Sequence, residues 1–271
     1  MRNLIKVDLK RIVKDKLFLV VIILGVVFAV ITPLLNKVLL AMLPSDEMAG
    51  MEGLLGSALT AKGIFFSSFM PGNNFGLIFP VFMVIILCKD FSYGTVRNKI
   101  LAGKSRLQIF LAMFVATAIV TCITVLAHAL IALGTSLLFF EYQATPFTAS
   151  DLGYFLLSVL FEMLLYCFIS AMLSCICVAM KNMGLSIVTF VAVNFFFVIV
   201  GSITTTVRMT GIVENPFVTF LDKANLFTST VIGGGVTYGA SDIAYILIPV
   251  FVGSAAFLTI GYLLFRKKDL K

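Results

Sequence analysis

The fold turns on residues 107–140, LQIFLAMFVATAIVTCITVLAHALIALGTSLLFF, 34 positions without an Asp, Glu, Lys or Arg. As one helix this run would be about 51 Å long, well beyond a hydrocarbon core of roughly 30 Å. It does not alternate apolar with polar positions, so it is not a strand of a transmembrane barrel. It reads as a membrane-crossing helix that tilts or projects from the bilayer.

Five more runs of this kind lie on either side. They are Leu17–Asn36, closed by Lys37; about Asn74–Cys88; Leu152–Met180, interrupted only by Glu162; about Gly184–Val207, with Asn194 inside; and Ile243–Phe265. The second begins late because Pro71-Gly72-Asn73-Asn74 breaks a longer charge-free stretch, and Pro80 within it predicts a kink. A signal peptide does not fit the first run, whose apolar part is too long and is followed by no small-residue cleavage site. Of the 271 residues, 61% are hydrophobic and 12% charged, against roughly a quarter charged in a soluble domain. A soluble globule, a disordered chain and a disulfide-rich secreted domain are all excluded by that balance. The sequence reads as a single domain, 1–271, with no room for a separate catalytic domain.

The net charge of +7 is informative by position. Arg2, Lys6, Lys10, Arg11, Lys14 and Lys16 precede the first span. Lys89, Arg97, Lys99, Lys104 and Arg106 separate the second from the third. Lys181 lies between the fourth and fifth, and Arg266, Lys267, Lys268 and Lys271 follow the sixth. Only Lys37, Lys62, Arg208 and Lys223 fall on the other side, where eight of the thirteen carboxylates lie. The positive-inside rule then predicts an even number of spans in the cytoplasmic membrane, with both termini cytoplasmic. The basic residues are a topological signal, so no nucleic-acid partner is expected.

The five cysteines, Cys88, Cys122, Cys167, Cys175 and Cys177, lie in or beside apolar runs and read as packing residues. None has zinc-ligand spacing, and one histidine cannot make an H-E-x-x-H site. Gly103-Lys104-Ser105 looks like the end of a phosphate-binding loop, but position 98 is Asn where that loop needs Gly, and no strand precedes it. The chain is therefore expected to hold no ATP, metal or other cofactor of its own and not to be an enzyme.

Residues 1–16 form an amphipathic pattern. Ile5, Leu9, Ile12 and Val13 share one helical face, and Lys6, Lys10 and Lys14 share another. Such a helix would lie along the inner membrane surface. In the loop 89–106, Thr95 is placed to cap a short helix and Gly103 to end it. Val96, Ile100 and Leu101 would form its apolar edge. That edge suits either docking into a groove on a soluble partner or resting on headgroups.

The stretch DFSYGTVRNKILAGKSR, Asp90–Arg106, resembles the corresponding loop of ABC-2-type transporter permeases, including exporters of antimicrobial or cytolytic peptides. The order of elements is also similar: a basic amphipathic lead, two spans, this loop and four further spans. The resemblance implies an all-α membrane protein of six transmembrane helices with an N-terminal interfacial elbow helix and a cytoplasmic coupling helix. It implies a second permease copy or paralogue and two separate ATPase subunits, which would bind ATP and Mg. By position, Asp90, Gly94, Thr95, Val96, Arg97, Asn98, Ile100, Leu101, Gly103 and Arg106 carry over to ATPase coupling. Short re-entrant helices are implied in the outer segment 208–242, where Phe217–Leu221 and Leu226–Ile232 are the apolar pieces. The outer segment 37–73 has no assigned role.

Glu162, His128 and Asn194 are the polar residues within spans singled out as translocation-path or interhelical candidates. Glu162 reads as a contact for a cationic substrate, as a brace for the dimer, or as a neutral acid hydrogen-bonded to a neighbouring helix, with Asn194 and His128 as candidate partners. Asn194 suits an interhelical hydrogen bond. With 27 Phe, 12 Met and no Trp, the lining suits a hydrophobic or amphipathic cargo better than a sugar. Two alternatives stay open: an ion-coupled carrier or channel, and an intramembrane enzyme using Glu162 and His128.

Overall fold

The computed structural model describes residues 1–42, 60–71, 74–143, 147–210, 215–225, 227 and 239–267. Among these there is no strand. The helices are α1 (Arg2–Lys14), α2 (Lys16–Met42), α3 (Ala61–Ser67), α4 (Asn74–Ser92), α5 (Thr95–Leu101), α6 (Arg106–Ser136), α7 (Ala149–Met180), α8 (Met183–Thr210), α9 (Pro216–Ala224) and α10 (Ala240–Lys267). Six of them, α2, α4, α6, α7, α8 and α10, are long and apolar enough to cross a membrane, which makes this a multi-pass membrane protein.

Each apolar run of the sequence is found as one helix, with shifted ends. α2 continues past Lys37 to Met42, because Lys37 sits over the Phe140 ring at 5.7 Å instead of terminating the helix. α6 stops at Ser136, short of Phe140, because Leu137 to Phe140 close in tight turns back to the last carbonyls. α4 runs through Pro80 to Ser92, so the acid and base of Lys89-Asp90 belong to its last turn.

α7 is the centre of the bundle. It packs against α4, α6, α8 and α10, and its inward face buries Phe161, Leu165, Tyr166, Ile169, Met172 and Leu173. α10 lies on it closely because Gly253 and Gly261 present no side chain to Phe168 and to the Cys175 backbone. By contrast α2, α8 and α10 leave long apolar faces exposed, including Leu19, Ile23, Val188, Phe196, Ile248 and Phe251. Such faces are stable against lipid tails and would not be against water.

The bundle has two chemically distinct ends. One gathers α1, the start of α2, the end of α4, α5, the start of α6 and the end of α10; we call it the basic end. At the other, α3 is drawn into the bundle. Ala61 and Lys62 donate backbone hydrogen bonds to Glu141 and Tyr142, and Ile64, Phe65, Phe66 and Phe69 are buried. Thr60 caps α3 through the Gly63 N–H at 3.0 Å. Residues 60–71 are thus a packed inner element of a segment for which the sequence suggested no role. At the same end Arg208 and Thr205 of α8 hold Asp222 of α9, and Lys223 holds Asp242 of α10 at 2.9 Å. α9 contains the expected piece Phe217–Leu221; the other piece, 226–232, lies outside the described residues except for Phe227.

Candidate functional site

At the basic end, the residues between α4 and α6 fold into a capped two-turn helix. Gly94 stands at its N-cap with φ 67°, and Thr95 is the first helical residue. The expectation that Thr95 caps this helix is therefore corrected: entry needs a left-handed backbone, which glycine adopts freely and threonine does not. The exit is as expected. Gly103, at φ 76°, donates to the Ile100 carbonyl at 2.9 Å, and Lys104 donates to Lys99 at 3.3 Å. Those two bonds are the Schellman closure. Ser105 then caps α6 through the Gln108 N–H.

The two faces of α5 differ. Val96 is buried and Ile100 packs against the core, while Arg97, Asn98 and Leu101 are exposed. Leu101 is 75% exposed and Tyr93, just before the helix, 76%. Two large apolar groups thus project from the end of the bundle beside a free guanidinium-bearing face.

Underneath, α5 and α4 are fixed by ion pairs to α1 and to Asp15, the residue that follows it. Lys99 reaches Asp8 at 2.5 Å, Lys89 reaches Asp15 at 2.7 Å, and Arg11 holds Asp90. Asp8 and Asp90 are almost completely buried. Burial lowers the Arg11 pKa from its usual value, against the opposing pull of Asp8 and Asp15. For Asp15 burial works the other way, but the Lys89 hydrogen bond, the Leu17 N–H and the Lys89 and Arg11 charges outweigh it and hold its pKa below the usual carboxylate value. Arg106 turns away from α5 and donates to the Phe265 and Arg266 carbonyls at 3.2 and 2.8 Å, satisfying the end of α10.

The intramembrane candidates do not meet. His128 bonds through Nδ1 to the Gly25 carbonyl at 2.8 Å and stacks on Phe75 with ring centres 4.5 Å apart. Because that oxygen only accepts, Nδ1 carries the proton. Asn194 donates to the Pro71 carbonyl at 3.3 Å, beside Tyr166, which donates to Phe69 at 2.6 Å. Both side chains therefore serve the segment 60–71, which exposes carbonyls that no helix satisfies. Glu162 is buried, and its Oε2 has no hydrogen-bond partner. Of the readings open for Glu162, a hydrogen bond to Asn194 or His128 is not formed: His128 turns to Gly25 and Asn194 to Pro71.

The model of one family matches residues 18–271. The chain belongs to the DUF2705 family. That family is described as a protein of unknown function. The match spans α2 to α10 and begins just after α1. No curated protein matches the chain.

Within this DUF2705 chain, the described residues hold no group of three or more His, Cys, Asp or Glu side chains placed to bind a metal. The five cysteines are free thiols, with the Cys122 and Cys167 sulfurs 3.9 Å apart. At the basic end, α5 presents an exposed apolar and cationic face and is tied to α1 by Lys99–Asp8, while Arg11–Asp90 ties α4 to α1.

Sequence reasoning missed the acidic half of that tie, Asp8 and Asp15, along with the exposed Tyr93. Asp8 stands four residues before Ile12, on the stripe that should be apolar, and this was the available signal. Asp15 and Lys89 gave no comparable sign, since their meeting depends on how α4 ends.

Proposed function

We propose that this chain is the membrane-spanning permease subunit of an ABC exporter. It sits in the cytoplasmic membrane with both termini and the basic end in the cytoplasm. It moves a hydrophobic or amphipathic substrate, with a peptide the leading class, and holds no ATP site and no enzyme active site of its own. Two ATPase subunits carrying ATP and Mg dock on residues 89–106 of this permease and of a second copy or paralogue.

One observation carries the reading: α5 is a short, well-capped helix whose outer face bears Arg97, Asn98 and Leu101, all exposed, with the exposed Tyr93 just before it. A connector needs neither the two left-handed glycines nor the ion pairs that brace it. A helix that receives a push from a soluble engine needs both, since force enters through an exposed face and leaves through stiff contacts. Pushed by closure of the ATPase pair, α5 would move α1 through Lys99–Asp8, and α4 through its short Tyr93-Gly94 link. ATP can shift the permease only by its differential affinity for the two packings.

The test is co-purification with a candidate ATPase, one bearing Walker motifs and encoded beside this chain. Leu101→Asp with Tyr93→Ser should abolish both co-purification and substrate-stimulated ATP hydrolysis while the permease stays folded. Unchanged values of both would overturn the reading.

A second reading, an ion-coupled carrier, draws on Glu162. A buried carboxyl oxygen without a partner is the kind of group that binds and releases a proton or cation during transport. Transport driven by an ion gradient in vesicles without ATP would establish it in place of the first.

A further inference from the structure

A slot of about 420 Å³ runs between α1, α2 and α6. It starts at Leu9 and Val13 of α1, passes Phe18, Val26, Ile119 and Ile123, and ends around His128. Apart from Thr124 and His128, nothing polar lines it. Its rim residues Ile22, Val26 and Ile123 are exposed on the outside of the bundle. Phe75 forms part of the wall, and it can lie there only because residue 25 is glycine. A Cβ at that position would stand 2.7 Å from the Phe75 ring.

The dimensions select the occupant. Along α2 the lining spans about 12 Å, and along α6 about 18 Å, at 1.5 Å per residue. That matches one leaflet, about 15 Å, half of a hydrocarbon core of roughly 30 Å. The volume divided by that length leaves a cross-section of about 30 Å², far smaller than that of a helix about 10 Å across. A single hydrocarbon chain fits that section along its whole length.

The mouth adds a charge requirement. Lys6 and Lys10 lie seven and three residues before Val13, on the adjoining stripe of α1, and both are exposed. Neither takes part in an ion pair among the described residues, in contrast to Arg11, Lys89 and Lys99. Two exposed cations outside the ion pairs of this end thus flank, along α1, the residues Leu9 and Val13 that line the start of the slot.

We propose that this slot binds an anionic glycerophospholipid from the leaflet at the basic end. One acyl chain lies in the slot as far as His128, and the phosphate rests between Lys6 and Lys10. The inference does not depend on the export reading, since it concerns α1, α2 and α6 and not the outer face of α5.

The absence of tryptophan from the chain permits a clean experiment. A single reporter is introduced by Ile123→Trp and, separately, by Val26→Trp, so that a folding failure of one leaves the other. Phe251→Trp, on the exposed face of α10, reports bulk lipid. Each protein is reconstituted in phosphatidylcholine vesicles containing either brominated phosphatidylglycerol or brominated phosphatidylcholine at the same mole fraction. The slot reporters should show a relative affinity for phosphatidylglycerol of roughly fivefold or more, the effect of at least one lysine near the surface. The Phe251→Trp reporter should quench equally with both. Lys6→Gln with Lys10→Gln should bring the slot preference to unity. Equal quenching by both lipids at the slot would overturn the proposal in favour of ordinary bilayer contact. Quenching by neither would overturn it in favour of another protein surface, such as a second copy, covering the slot.

Discussion

The Lys99 ammonium of α5 sits 2.5 Å from the Asp8 carboxylate of α1, and the two side chains are 10% and 2% exposed. A buried pair of this kind contributes little compared with an apolar replacement, yet it is expensive to break on one side only. Asp8→Asn should therefore destabilise the α1–α5 junction by on the order of 3–5 kcal/mol, by stranding a buried cation. Asp8→Leu with Lys99→Met should recover most of the loss. Thermal unfolding in detergent of the unaltered protein, Asp8→Leu, Lys99→Met and the double variant closes a double-mutant cycle and measures the coupling. Additive losses would show that the two residues do not act as a pair.

The Asp15–Lys89 pair gives a pH dependence with a defined sign. The folded pKa of Asp15 lies below its unfolded value. Its stabilising contribution is then complete above the unfolded carboxylate pKa of about 3.9 and is lost as pH falls through the folded value. Hydrogen exchange over residues 2–18 should be insensitive to this group between pH 7 and 5, and protection should fall in stronger acid. Asp15→Asn should weaken protection at pH 7 and flatten that acid response. Loss of protection above pH 5 in the unaltered protein would assign the effect to some other group.

Much of this fold was legible in the sequence, for reasons that differ by level. The six spans were visible because a bilayer requires about 20 apolar residues whatever the neighbouring helices do. Leu17–Asn36 and Ile243–Phe265 announce themselves without any knowledge of packing. The bounds of α5 were nearly legible, since Gly103 ends it as a glycine should, while Gly94 rather than Thr95 begins it. The burial of α3 was not, because nothing local distinguishes Phe65 and Phe66 entering the bundle from the same residues on a membrane surface. The partners of Asn194 and His128 were equally hidden. Asn194 bonds the Pro71 carbonyl, outside any helix, and His128 bonds the Gly25 carbonyl on α2, and both meetings depend on how segments distant in sequence pack.

The two left-handed glycines of the short helix should be separable from its contacts. Neither Gly94 nor Gly103 has any atom within 4 Å of where a Cβ would lie, so the penalty for alanine is conformational alone. Gly94→Ala and Gly103→Ala should each destabilise by roughly 1–2 kcal/mol, and asparagine should be better tolerated at both. Melting temperatures rank the variants. An alanine as harmless as asparagine would mean that the backbone relaxes out of the left-handed region.

Gly76 is a tighter constraint. A Cβ there would stand 2.3 Å from the Met70 carbonyl oxygen and 3.0 Å from the Tyr166 hydroxyl. Because the nearest atom is backbone, no rotamer change relieves the clash. Gly76→Ala should therefore push residues 60–71 away from α4 and lengthen the Tyr166 bond to Phe69, with a loss of roughly 1–3 kcal/mol or more. Labelling of a cysteine placed by Ser68→Cys, in a chain otherwise lacking thiols, should quicken in the Gly76→Ala background. Unchanged labelling with a lowered melting temperature would place the strain in α4 instead.

Glu162 separates the two functional readings in one substitution. Its carboxyl is buried with one oxygen lacking any hydrogen-bond partner, so folding gains nothing from the polar group. Glu162→Met should raise thermal stability by roughly 1–3 kcal/mol, the desolvation penalty removed with an unpaired polar atom. In an ATP-driven exporter for an apolar cargo, transport should survive this change. A carrier that moves a proton or cation on this carboxyl should lose gradient-driven transport with Glu162→Met and Glu162→Gln alike, and at no cost in folding. The combination of a more stable protein and abolished transport would assign Glu162 a role in transport that the exporter reading does not require.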